Sequence, residues 1–250
     1  MLNSRTSLIL CSALVSSFAQ AFVVGYDDAS DPAYSSGWAA LSNGGFGFGP
    51  WFHSAVSTNG LGNSNTNGSL GGPGINTAGK SWKSQQGVNW NGAMANRNIG
   101  SFTVGNLFEI DVDFGDLNVG MQTITVYDTA LTDFIQVQSY GGLGFMTIQT
   151  FAGTTTTSVP YSDGGFRLGF AYVSATTVDV SITTLATSNT ATYSLLYGGV
   201  AGSHELSIGG NHPVAFQELY TNRLKMTSPV PEPASLAALG LGLVLLRRRR

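Results

Sequence analysis

Period-two alternation dominates this chain from about Phe102 onward. In the stretch Phe108 to Phe114, FEIDVDF, the residues Phe108, Ile110, Val112 and Phe114 fall on one face and Glu109, Asp111 and Asp113 on the other. That is the pattern of a strand with one dry and one wet side. It returns in Phe166, Leu168, Phe170 and Tyr172, and again in Val178, Val180 and Ile182. Clusters of Gly, Asn, Asp and Thr separate the runs, as turns separate antiparallel strands. Strands are predicted near 45–52, 80–86, 100–104, 107–115, 121–128, 134–140, 144–151, 166–173, 177–184, 191–197, 204–208 and 223–227. So many strands favour two packed sheets over one, so the expected fold is all-β, a two-sheet antiparallel β-sandwich. No interior stretch sustains an apolar period of 3.6, so helix is expected only at the two ends.

Those ends differ from the middle. Residues 1–21 carry Arg5, an apolar run from Leu8 to Val15, and Ala19-Gln20-Ala21, the layout of a secretory signal helix with a small-x-small cleavage site at Ala19 and Ala21. The one cysteine, Cys11, lies inside this segment, so a processed chain has no thiol and folds on its core alone. The sandwich is expected over 22–228. Within it, residues 57–79 are Gly, Asn, Ser or Thr at eighteen of twenty-three positions, a composition that buries little and reads as a surface loop. Between Phe22 and Ser228 stand six basic and thirteen acidic residues, a formal net charge of −7. With no basic stripe, nucleic acid is excluded as a partner.

Residues 229–250 carry the strongest motif. Val230-Pro231-Glu232-Pro233 precedes an uncharged apolar run, Ala234 to Leu246, and four arginines, Arg247, Arg248, Arg249 and Arg250, close the chain. As a helix the thirteen apolar residues would cover about 20 Å, short of the roughly 30 Å hydrocarbon core, which suits a transient anchor. The arginines read as a stop to translocation that stays on the cytoplasmic side. Pro231 and Pro233 hold Glu232 in extended backbone, the form a protease binds. The order of these three parts resembles the PEP-CTERM sorting signal of exported bacterial proteins. The resemblance implies as partners an export translocon, the membrane before processing, and an exosortase-type membrane protease. It further implies transient membrane anchoring, then release to the cell surface or the extracellular matrix.

Candidate chemistry in the interior is sparse. Glu109, Asp111 and Asp113 share one face of one strand, and a pair of carboxyls about 5 Å apart is what a retaining glycosidase uses. The stretch resembles the E-x-D-x-x-E or E-x-D-x-E strand of laminarinase-type β-glucanases. By that resemblance Glu109 would be nucleophile, Asp111 its electrostatic partner, and Asp113 would hold the acid's place with an arm one methylene shorter. Asp27, Asp28 and Asp31 offer oxygen ligands for calcium but lack EF-hand spacing, and no cofactor or other metal site is expected. His53, His204 and His212 are isolated, without zinc spacing. Trp38, Trp51, Trp82 and Trp90 are read as core or loop staples, with a sugar-stacking platform as the alternative. The Gly-rich and alternating pattern of 22–228 is similar to concanavalin A-like or laminin G-like jelly rolls, a fold that hosts lectins, glycosidases and adhesive modules. The expectation is therefore an exported surface or matrix protein whose jelly-roll domain is not an enzyme. The alternatives are a β-glucan hydrolase using Glu109, or a carbohydrate-binding module for extracellular polysaccharide.

Overall fold

The computed structural model of the chain describes residues 21–53, 59–62, 74–85, 93–115, 120–199, 202–211 and 218–229. The expected signal helix, the sorting motif at 230–233, the apolar run at 234–246 and the arginines at 247–250 lie outside the described residues. The chain divides into two compact units, one of which, Val23–Thr227, holds the sandwich. Among the described residues the elements in order are β1 (Phe22–Asp27), a 3-10 turn (Pro32–Tyr34), β2 (Trp51–His53), β3 (Asn59–Gly62), β4 (Ser81–Gln85), β5 (Ala93–Phe102), β6 (Leu107–Phe114), β7 (Met121–Asp128), β8 (Phe134–Tyr140), β9 (Phe145–Thr150), β10 (Gly153–Pro160), β11 (Phe166–Ser174), β12 (Thr177–Thr184), β13 (Thr190–Leu196), β14 (Gly202–Asn211) and β15 (Glu218–Ser228).

Two antiparallel sheets form the sandwich that the alternation predicts. One runs β13-β12-β11-β6-β15-β4-β3, with β1 also paired to β15; the other runs β10-β9-β8-β7-β14-β5-β2. Phe108, Ile110, Val112 and Phe114 on β6, with Phe166, Leu168 and Phe170 on β11, are fully buried from the first sheet. Ile124, Val126, Ile135, Val137, Ile148, Leu206 and Ile208 are fully buried from the second. Each such side chain contributes about 1.5–3 kcal/mol by leaving water, and together they fix which face of every strand points inward.

The differences from the predicted strands have local causes. The stretch predicted at 45–52 is strand only from Trp51, because Gly45 and Gly47 take φ of 65° and 82°, outside extended backbone. A Cβ on Gly45 would run into the carbonyl oxygen of Tyr26. β10 is absent from the predicted strands, since its wet and dry positions are nearly all threonine. β5 begins at Ala93 rather than near 100, because its inward positions include Arg97, which hides the alternation. Among the described residues no helix is long and apolar enough to cross a membrane.

Candidate functional site

β6 is the middle strand of its sheet, and its three acidic residues project from the outer face, opposite the core. Asp111 pairs in register with Arg167 on β11 and with Asn222 on β15. Arg167 donates from Nε to Oδ1 at 2.7 Å and from Nη2 to Oδ2 at 3.1 Å, a fork on a planar carboxylate. Arg223 Nη1 lies 3.3 Å from the same Oδ2. The carboxylate is fully buried while each guanidinium stays about two-fifths exposed. The hydrogen bond to Asp111 holds Arg167 above the ordinary arginine range.

A bulge in β15 makes this arrangement possible. The register slips between Asn222 and Lys225, and Arg223 adopts a left-handed φ of 50°, a conformation costing about 1–3 kcal/mol for a residue with a side chain. The extra residue keeps Leu219 before the slip and Leu224 and Met226 after it in the core, while Arg223 and Lys225 face outward with the carboxylates. Asn222, itself fully buried, accepts from the amides of Ala29 and Arg223 and donates to the carbonyls of Ile75 and Lys80.

Glu109 stands opposite Lys225, with Nζ to Oε2 at 3.3 Å and the carboxylate side chain 20% exposed. Asp113 is 3% exposed and stands opposite Tyr220. Strand geometry separates the Cα atoms of Glu109 and Asp113 by about 13 Å, and the short arm of Asp113 points into a covered position. Glu109, Asp111 and Asp113 thus share the outer face of β6, with Glu109 the partly open one and Asp111 and Asp113 buried.

The other candidates fall elsewhere. Asp27 is buried against Arg97 and Tyr34, Asp28 accepts from Tyr26 and Ser30, and Asp31 accepts from the amides of Ala33 and Gly45. Among the described residues no group of three or more His, Cys, Asp or Glu is placed to hold a metal. Trp38, Trp51 and Trp82 are buried together, with Trp38 and Trp51 ring centroids 5.0 Å apart and Trp51 and Trp82 5.3 Å apart. They are staples, as the sequence suggested; Trp90 and His212 lie outside the described residues. His53 packs on Trp38. His204 is buried among Phe102, Tyr172 and Tyr197. A cavity of about 470 Å³ opens between β10 and the β12–β13 hairpin, lined by Ser158, Tyr161, Ser162, Asn189 and Thr190 among others. No sequence pattern announces it, since its hydroxyls come from two stretches, 158–162 and 184–190, that only the fold brings together.

The PEP-CTERM protein-sorting motif matches residues 229–250. The chain carries that motif, which implies export and processing by an exosortase, a membrane protease. No curated protein matches the sequence. Among solved structures, a sialidase shares the fold with a TM-score of 0.55 and 13% identity, over 82% of this chain and 19% of that one. This chain therefore spans about a fifth of the sialidase's length. A protein of unknown function from Shewanella oneidensis MR-1 matches with a TM-score of 0.55 and 12% identity, over 92% of this chain and 96% of that one. β-Agarase A from Zobellia galactanivorans has a TM-score of 0.43 and 14% identity, over 77% and 97%. What the sialidase and the Shewanella protein share with this chain is the fold, a two-sheet antiparallel β-sandwich. The expectation that the domain is not an enzyme is corrected: a sandwich of the same fold occupies about a fifth of a sialidase, so a sandwich with few chemical motifs is no ground for excluding activity.

Proposed function

We propose that the sandwich acts on polysaccharide outside the cell, as a laminarinase-like β-glucan hydrolase with Glu109 as the reacting carboxylate. The chain is carried across by its first segment and anchored by residues 234–250. A cut near Val230 to Pro233 then frees the sandwich. The observation that carries the hydrolase reading is the placement of Glu109: it is on the central strand, faces outward, opens partly to water, and has an ammonium 3.3 Å away. Asp111, neutralised by two arginines, keeps a fixed charge pattern beside it. Asp113 is left out of the chemistry.

A second reading, saccharide binding by the sandwich, is favoured by the uncharged cavity beside β10, whose walls mix apolar side chains with hydroxyls and which is large enough for a short saccharide. The test is incubation of the full-length protein with a panel of β-glucans and measurement of new reducing ends. Turnover that disappears in Glu109→Gln supports the hydrolase. Wild-type protein that produces no new ends from any glucan sinks it, and retention on those glucans would then favour the second reading.

A further inference from the structure

The sheet opposite β6 carries a face with different chemistry. Its neighbouring strands β8 and β9 present outward, by the period of two, Phe134, Gln136, Gln138 and Tyr140 on one and Phe145, Thr147 and Gln149 on the other, with Phe151 just beyond. Gln136 pairs in register with Gln149, and Gln138 with Thr147. Each strand therefore reads aromatic, polar, polar, aromatic, and the two strands match row by row.

The polar centre is already ordered. Gln138 Nε2 donates to Gln136 Oε1, and to Gln149 Oε1 at 2.6 Å; Thr147 Oγ1 donates to Gln138 Oε1 at 3.2 Å. Gln136 in turn donates to Thr125 Oγ1 on β7 at 2.8 Å. The aromatic ends stay open to water. Phe151 is 64% exposed and meets Phe134 edge-on at 4.7 Å, while Tyr140 and Phe145 are 38% and 36% exposed. Phe134 and Tyr140 stand six positions apart, about 20 Å along a strand.

Large rings left in water at both ends of an amide row point to a ligand with alternating apolar and hydrogen-bonding surfaces. A sugar chain has both, since its ring C–H faces stack on aromatics and its hydroxyls pair with amides, which both donate and accept. Charge narrows the class. Met121 to Pro160 contains no lysine, arginine or histidine, so a polyanion finds no counter-charge there. A second copy of this chain would bring an apolar centre to a dimer interface, and the centre here is amide.

We propose that the outer face of the β8–β9 hairpin binds an uncharged polysaccharide laid along the strands. Its rings sit on the aromatic pairs at the two ends, its hydroxyls bond Gln136 and Gln149, and Gln138 positions both amides. The ligand class rests on the polysaccharide reading above, while the surface is separate from Glu109.

The test is affinity electrophoresis of the full-length protein in detergent, through gels holding laminarin, neutral agarose or the polyanion alginate. Migration is retarded by laminarin or agarose and not by alginate. The double variant Tyr140→Ala/Phe151→Ala loses about tenfold or more in affinity, the scale of one or two lost stacking contacts, with its melting temperature kept. Gln138→Leu weakens retardation, and Glu109→Gln leaves it unchanged even where turnover is lost, so the two readings fail separately. Absence of retardation in both neutral gels, equal retardation of the double variant, or a wild-type dimer that the double variant dissociates would each overturn the proposal.

Discussion

Arg97 is a fully buried cation in the core of an apolar sandwich, and its surroundings answer its charge. Its Nη1 donates to Asp27, its Nε donates to the carbonyl of Gly49 at 2.6 Å, and its Nη2 donates to Asn43 Oδ1 at 2.6 Å. The guanidinium also lies 5.0 Å from the centre of the Trp51 ring. Burial raises the Asp27 carboxyl while Arg97 and Tyr34 pull it back. Removing one partner leaves the other charge stranded. Arg97→Met is therefore expected to cost about 3–5 kcal/mol, or roughly 6 to 20 °C in melting temperature for a domain of this size. The double variant Asp27→Asn/Arg97→Met should recover a measurable part, a coupling that calorimetry on the four forms of the cycle reads directly.

His204 belongs to the same scale. Burial lowers its pKa from the ordinary 6.5, so the folded chain keeps the ring neutral at a pH where the unfolded chain has taken a proton. Stability from this residue is complete above about pH 7 and falls as pH drops below 6.5, through the lowered folded value. Burial lowers His53 in the same direction. Denaturation midpoints measured between pH 7 and pH 5 should decline, and His204→Gln should flatten the decline.

At the scale of elements, the strands most legible in the sequence are those whose inward positions are mainly apolar, such as β6, β11 and β12. Those it hid had threonine or a charge at inward positions: β10 alternates Thr with Thr, and β5 sends Arg97 inward. The acidic face of β6 was legible, yet its partners were not. Alternation shows that Glu109, Asp111 and Asp113 face one way, but which cations meet them depends on the order of strands and on the bulge at Arg223, neither of which leaves a local pattern. The aromatic and amide spacing of β8 and β9 was present in the letters too, and only pairing of the two strands made it a surface. Turn chemistry supplies a test of the backbone account. Gly45 combines a φ of 65° with a close carbonyl, whereas Gly100 has a φ of 86° with open space around it. Gly100→Ala should cost only the left-handed penalty of about 1–2 kcal/mol. Gly45→Ala should cost more, because the Tyr26 strand must also move, and a denaturant titration of the two variants ranks them.

For the whole molecule, the sandwich and the sorting motif make different demands. The first is a closed core that needs no disulfide, and the second is a short signal read by a membrane protease. Three signals in the letters gave the second: the prolines around Glu232, the apolar run and the terminal arginines. Nothing so compact marks the sandwich's work, because surface chemistry on a β-sandwich is assembled from residues far apart in sequence.

Mass spectrometry of the carboxyl terminus of protein collected from the medium is the most direct test that this chain is exported and then cut at its sorting motif. The account predicts a chain ending near Val230 to Pro233, without the apolar run and without Arg247 to Arg250. Material outside the cell that retains all four terminal arginines would contradict it.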